Sequence, residues 1–404
     1  MVKVKILFIC YSWPGLRESY NEGKEPNGMP GFYYLLKELS FRKYSIDLFI
    51  YTPDDFSYSF NHMPKDHWFS AINIKGIYKI KQLNGLSRII YEYSLIYLMN
   101  REINTLLDNN HYDFIYGQGN YSECGRNAAI KHGIPFAMRK YGDDFAPLVN
   151  QIGIIQASLR SPISALSYLT KKEFILATND GTEIDKLAKR FRRHFPYKLY
   201  VWNNGFDNCI GLDDKFIELT KQPFIFQFSR INRLKGQSDV LDIFKLARNK
   251  GFNGNLIIAG NGKDTLYFEE LNRKITEYNI RDYVFFIGTI SSEQANFLSQ
   301  YSVANILSGI NYNLNNVFIE SLGYGAIVLV RDTPLITEVI INKSNGFIFR
   351  DVNECSNILV DLYNNKYDSL EIRKRAKETC TNYFGSWEDR IHREINLIEA
   401  ILKK

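Results

Sequence analysis

Cysteine is scarce in this 404-residue chain, and its five copies (Cys10, Cys124, Cys209, Cys355 and Cys380) are scattered. There is no C-x-x-C pair and no histidine at zinc spacing, which speaks against a disulfide framework and a structural metal and for a reducing compartment. Long apolar runs are also lacking. Ile6–Cys10 follows Lys3 and Lys5 as the start of a signal peptide would, but the run stops at Tyr11-Ser12-Trp13-Pro14, so it reads as a first strand. No window reaches the apolar length that crosses a bilayer, and the expectation is a chain that is soluble or lies on a membrane. Internal repeats and low-complexity tracts are absent, and no G-x-G-x-x-G follows a strand, so a nicotinamide dinucleotide is not inferred.

What is present is enough apolar material for two cores: 45% of residues are hydrophobic and 15% aromatic. A chain of this length exceeds what one core supports, so two domains of similar size are expected. The charge is divided unevenly. Residues 1–210 hold 26 Lys and Arg against 20 Asp and Glu, a net +6, and the remainder holds 24 against 24. A basic first half suits an anionic partner, an acidic lipid surface or a phosphorylated acceptor, or else serves solubility. The run Lys186–His194 reads either as a solvated helix face or as a membrane contact.

Along the chain, apolar strands alternate with helical spacing. Lys3–Cys10 is followed by a loop with Gly15, Gly23, Gly28, Pro30 and Gly31, by Phe32, Leu35, Leu36 and Leu39 on one helix face, and by the strand Ser45–Tyr51. Residues 52–110 are less legible apart from a helix over Leu86–Leu107. Strands at Asp113–Tyr116 and Pro135–Arg139 follow, the second delivering Tyr141-Gly142-Asp143-Asp144, two carboxylates at a strand end or a turn capped by Asp. Residues 208–222 read as a linker. In the second half, Phe224–Phe228 runs into Ser229-Arg230-Ile231-Asn232-Arg233-Leu234-Lys235-Gly236, then a helix. Such a loop lies at the carboxyl edge of an α/β sheet, where Arg230 and Lys235 suit a diphosphate or simply form a solvated basic turn. Strands at Leu256–Ala259, Val284–Ile287, Ala304–Leu307 and Ile327–Val330 repeat the doubly wound pattern. The Gly288 loop and a helix starting near Asn316 and carrying Glu320 share that edge. A helix amino end offers N–H groups to phosphate, and a carboxylate one turn in can bridge two ribose hydroxyls. Trp387, Ile391, Ile395, Ile398 and Leu402 form a closing helical stripe that must pack on something.

Over residues 201–350 the sequence resembles the retaining nucleotide-sugar glycosyltransferases of family four, which have the GT-B fold and build bacterial surface glycans. Asn203-Asn204-Gly205-Phe206-Asp207 resembles the family's N-G-V-D turn, and Ser229-Arg230 through Lys235-Gly236 its G-R-x-x-x-x-K-G. Ile258-Ala259-Gly260-Asn261-Gly262 is similar to I-x-G-x-G, and Glu320 through Gly325 to E-A-x-A-x-G. In the first half the glycines at Gly28–Gly31 and Tyr141-Gly142-Asp143 resemble the family's glycine loop and H-G-x-D, with Tyr for His. The resemblance implies two Rossmann-like domains facing across a cleft: an acceptor domain over 1–207, a donor domain over 208–385, and a helix over 386–404 crossing back to the first. It implies donor contacts from Gly31, Arg230, Lys235, Gly288, Tyr312, Asn315, Asn316 and Glu320, with Asp143, Arg230 and Lys235 in catalysis. No cofactor or divalent metal is implied, since Arg, Lys and a helix dipole can neutralise the leaving diphosphate. A UDP-sugar donor, a glycan or lipid-linked acceptor, peripheral contact with an anionic membrane and no nucleic acid are the implied partners. The implied place is the cytoplasm or the inner face of the plasma membrane. Tyr312 stands where the family has the first of two glutamates, so a pseudo-transferase that binds without turnover is a second reading, and a GT-B nucleotide-sugar epimerase a third.

Overall fold

The structure, a computed structural model, describes residues 4–23, 28–53, 67–81, 83–142, 145–181, 184–192, 197–209, 214–262, 265–309, 314–333 and 335–403. The chain divides into two compact units, Met1–Asn203 together with Trp387–Lys404, and Asn204–Ser386.

The first unit is built on a parallel sheet of β1 (Lys5–Tyr11), β2 (Ser45–Thr52), β3 (Ile72–Lys79), β4 (Phe114–Gln118), β5 (Phe136–Lys140), β6 (Phe174–Thr178) and β7 (Lys198–Trp202), in the order β3-β2-β1-β4-β5-β6-β7. A strand covered on both faces has no polar side, which is why β1 reads as an unbroken apolar run. Its alternate residues serve two layers. Ile6, Phe8 and Cys10 pack with Leu35, Leu36 and Leu39 of the helix Pro30–Phe41 and with the helix Trp387–Leu402, while Leu7 and Ile9 face Leu95, Met99 and Ile103 of the helix Gly85–Asp108. Strand β3 had no counterpart in the sequence reading. It is an edge strand, and its pairing with β2 shifts register where Gly76 meets Phe49, since an added Cβ would press on that ring at 2.8 Å.

The closing helix buries Trp387, Ile391, Ile395 and Ile398, as its spacing required, but its last inward residue is Ile401, and Leu402 is only half-buried at the edge of the core. It also buries Arg390 and Glu394. Gly31, read as part of a loop, is the second residue of the helix Pro30–Phe41.

The second unit carries β8 (Phe224–Phe228), β9 (Asn255–Ala259), β10 (Val284–Phe286), β11 (Ala304–Leu307), β12 (Val328–Arg331) and β13 (Phe347–Phe349), all parallel, ordered β10-β9-β8-β11-β12-β13. This is the doubly wound order. Its topological switch falls between β8 and β11, and that crevice is where such sheets take ligands. The stretch read as linker contains a short 3-10 segment, Asp214–Lys221, whose Phe216 is buried against Phe224 and Phe226.

Ile395 is fully buried in the first unit's core. Ile395→Ala should therefore cost about 2–5 kcal/mol by loss of transfer free energy and creation of a cavity. In urea denaturation of the full chain, the transition of the first unit should move to lower urea while that of the second stays in place. A shift in neither would show that the closing helix contributes little to that core.

Candidate functional site

The basic loop leaves β8 at the switch point, and its backbone is held from below. Gln227 Nε2 donates to the Lys235 carbonyl (3.0 Å), and Gln237 Nε2 donates to Ser229 Oγ (3.1 Å) and the Arg230 carbonyl (3.0 Å). Ser308, at the end of β11, donates its hydroxyl to the Gly236 carbonyl (2.7 Å). Gly236 adopts φ 69°, and a Cβ there would stand 2.5 Å from Ser308 Oγ and 2.7 Å from its carbonyl oxygen, so only glycine lets the two loops approach this closely. The loops after β8, β9 and β10 are laced in turn: Ser229 N–H donates to Ala259 O (3.0 Å), Ile231 N–H to Asn261 O (3.0 Å), and Gly260 N–H to Gly288 O (2.7 Å). Gly288 itself holds φ 72°.

With the backbone satisfied inward, the charges of the loop point elsewhere. Arg233 pairs with Glu270 and lies over the Tyr267 ring at 5.1 Å. Arg230 is exposed, and among the described residues nothing pairs with its guanidinium; Lys235 is half-buried. A fork of five donors held on a fixed backbone is suited to bidentate contact with phosphate oxygens.

The helix Asn316–Gly323 begins beside this edge, after β11. Asn315 caps it, its side-chain oxygen accepting from Phe318 N–H (3.2 Å), while Asn316 Oδ1 accepts from Asn204 Nδ2 (2.7 Å) and so anchors the turn that follows β7. The underside is fixed by Asn305, which donates to Ser299 Oγ (2.9 Å) and Ser321 Oγ (3.2 Å). Glu320, in the second turn, makes no hydrogen bond among the described residues, and burial pushes its carboxyl up to about 7. It is therefore divided between acid and carboxylate near neutrality, and hydroxyl donors brought to it would favour the ionised form.

Arg230, Lys235, Gly288, Asn315, Asn316 and Glu320 thus all belong to loops and helix starts along the carboxyl edge of the second sheet. Gly31 belongs to the first unit, packed against Arg139. Asp143 and Tyr312 lie outside the described residues, as do Arg193 and His194 of the basic run; within that run Lys189 pairs with Asp185 at 3.2 Å. Gln227, Gln237 and Ser308, which hold the loop, escaped the sequence reading because a lone amide or hydroxyl in an apolar strand or helix carries no spacing signal. Among the described residues no three His, Cys, Asp or Glu side chains gather as metal ligands, and no helix is long and apolar enough to cross a membrane.

Residues 212–379 match the family described as Glycosyl transferases group 1. Trehalose synthase of Pyrococcus horikoshii is 26% identical over 170 residues, which are 41% of this chain and 41% of that protein. The chain thus matches only about two fifths of the length of that curated relative. Among solved structures, sucrose-phosphate synthase from Thermosynechococcus elongatus superposes with a TM-score of 0.73 at 15% identity, covering 99% of this chain and 100% of that one. HepE of Anabaena, in complex with UDP, gives a TM-score of 0.67 at 15% identity over 98% of this chain and 100% of its own. At such identities the likeness speaks for the fold. The chain has the GT-B fold of two Rossmann-like α/β domains, and its second unit matches the group 1 glycosyltransferases over residues 212–379.

Proposed function

We propose that this chain is a glycosyltransferase that moves a hexose from a nucleoside diphosphate sugar, a UDP-sugar in the first instance, to a glycan or lipid-linked acceptor of surface polysaccharide. The reading rests on one observation above the others: the Arg230–Lys235 loop is pinned at the switch point of a doubly wound sheet, beside a capped helix start that carries Glu320. In this reading Arg230 and Lys235 hold the diphosphate and stabilise it as it leaves, Glu320 receives the ribose hydroxyls, and backbone near Gly288 meets the base. Gly31, Tyr312, Asn315 and Asn316 complete the donor contacts. Asp143 orients the acceptor hydroxyl. Transfer proceeds with retention through an oxocarbenium-like transition state, in which the leaving phosphate takes the acceptor proton. The charge of the leaving group is met by arginine, lysine and helix dipole, so the reaction is metal-independent. The basic first unit keeps the enzyme at the inner membrane face.

Incubating the purified chain with a panel of nucleotide sugars and following released nucleoside diphosphate and the anomeric form of the product tests the proposal. Binding without turnover would favour the pseudo-transferase reading that Tyr312 suggests, and an epimerised nucleotide sugar would favour the epimerase. Arg230→Ala and Lys235→Ala should each weaken binding of the free nucleoside diphosphate by about ten- to hundredfold, each removing a charge-assisted contact of roughly 1.5–3 kcal/mol. Unchanged calorimetric affinity in both variants would end the phosphate-loop reading.

The state of Glu320 sets a pH dependence. Only the ionised carboxylate accepts from both ribose hydroxyls, so nucleotide affinity should be low at pH 5.5, rise through about 7 and level off above it. Glu320→Gln should flatten that profile, and a profile equally steep in the variant would assign the titration to another group.

Asp143→Asn should lower turnover by roughly a hundredfold or more with donor binding nearly intact, because an amide fills poorly the carboxylate's role of orienting the acceptor hydroxyl or stabilising positive charge at the anomeric carbon. Tyr312→Phe should weaken nucleotide-sugar binding and leave the bare nucleotide unaffected. Full activity in the Asp143 variant would pass the role to Asp144.

A further inference from the structure

The helix Gly85–Asp108 is 24 residues long, and the core of the first unit receives it late. Its buried residues, Glu92, Leu95, Met99, Ile103 and Leu107, begin only after two full turns. Asn84, at the N-cap, makes no side-chain cap hydrogen bond, and Gly85 stands at φ 59°. Those first turns are tied to the unit chiefly through Glu92, which accepts from Arg88 Nε (2.9 Å) and the Tyr121 hydroxyl (3.3 Å). A helix end with so little apolar surface beneath it is marginal in water by itself.

Away from the core the same helix carries apolar residues where polar ones are expected. Leu86, Ile90, Tyr93 and Tyr97 are 71%, 62%, 51% and 69% exposed, and none enters the cluster that Leu95, Met99, Ile103 and Leu107 join. Steps of four, three and four residues place them in one stripe about 16 Å long. Single exposed apolar residues need no explanation, but a contiguous stripe of large ones does.

The charge around the stripe does not suit an anionic lipid surface, which would call for a basic rim. Within the helix Arg88 and Arg101 are outnumbered by Glu92, Glu102 and Asp108, and there is no lysine. Arg88 is paired with Glu92 at 2.9 Å, and Arg101 lies 3.5 Å from Glu102. The basic excess of the first half is therefore elsewhere. Tyrosines set among aliphatic residues, with charge kept off the stripe, are the composition of a protein–protein contact. The stripe is also its own complement. Leu86 and Tyr97 stand equally far from the midpoint between Tyr91 and Glu92, and so do Ile90 and Tyr93.

We propose that this stripe is the interface of a homodimer, in which the helix Gly85–Asp108 packs antiparallel on the same helix of a second copy. The two-fold axis passes between Tyr91 and Glu92. In that register Leu86 meets the partner's Tyr97 and Ile90 meets the partner's Tyr93, each contact made twice by symmetry. The weakly supported first turns of each copy then lie on the anchored turns of the other. The side chains and their neighbours amount to roughly 1,000 Å2 in the pair, the size at which specific contacts begin, so the dimer exchanges with monomer. The interface belongs to the first unit alone and does not depend on the glycosyl-transfer reading.

Sedimentation equilibrium of the full chain over a range of concentrations should show a monomer–dimer equilibrium. Ile90→Asp and Tyr97→Asp should each weaken it by about a hundredfold, since each would bury an unpaired carboxylate beside apolar side chains. Both positions are exposed in the monomer, so circular dichroism and the urea midpoint at low concentration should not change. Cross-linking tests the register even if a charged variant does not fold. Leu86→Cys and Tyr97→Cys in one chain lie about 16 Å apart, too far to join to each other, but each faces the other across the axis. Mild oxidation should therefore give a covalent dimer of the double variant and of the two single variants mixed, but not of either single variant alone. The unsubstituted chain, with four cysteines buried and Cys209 half-buried, sets the background. A wild type that stays monomeric throughout, or a dimer that neither carboxylate weakens, overturns the proposal. So does flotation of a monomeric wild type with anionic vesicles that Ile90→Asp abolishes, which would assign the stripe to lipid.

Discussion

The approach of Gly236 to Ser308 decides the shape of the ligand edge in the second unit. β8 and β11 are parallel neighbours whose chains continue to opposite sides of the switch point, and their loops come this close only if one of them gives up its side chain, as Gly236 at φ 69° does. Once the backbones touch, Ser308, Gln227 and Gln237 take up the loop carbonyls from beneath. The peptide groups are then satisfied on the inner side, and the flexible cationic side chains are carried on a fixed frame. A charge held this way loses little freedom when it meets a ligand, which is the physical content of preorganisation.

The same edge treats its acid differently from its bases. Arg233 is neutralised by Glu270 and Arg331 by Asp239, whereas Glu320 has no donor among the described residues and burial raises its carboxyl to about 7. An unmatched carboxyl of this kind costs stability when ionised. The cap at Asn315 and the bond from Asn204 to Asn316 fix the turn from which Glu320 projects, so its position does not depend on the ligand being there.

Much of this was legible in the sequence because of what double coverage does to a strand. β1, β8 and β9 are buried on both faces and read as short apolar runs, interrupted in β8 by Gln227, and the polar residues that follow them stand out as loops at one edge. β3 was illegible for the opposite reason: it is an alternating edge strand with Gly76 at a register shift. The closing helix shows the limit of periodicity. Its apolar stripe was visible, but Arg390 and Glu394 share the buried side, and a charged residue in a stripe reads as solvent-facing until its partners on β4 and β5 are known. Gly31 was read as loop because glycine usually marks one; in the helix it is there to let Arg139 come close.

The two units hold positive charge in opposite ways. Arg230 is exposed, so its attraction is screened over about 10 Å at 0.1 M salt and costs the fold little. Arg139 and Arg390 are buried, where screening is weak and the fold bears the cost of their desolvation. The Glu394 bridge is what holds them: it joins the closing helix to β4, β5 and the start of the helix Pro30–Phe41 in a single network.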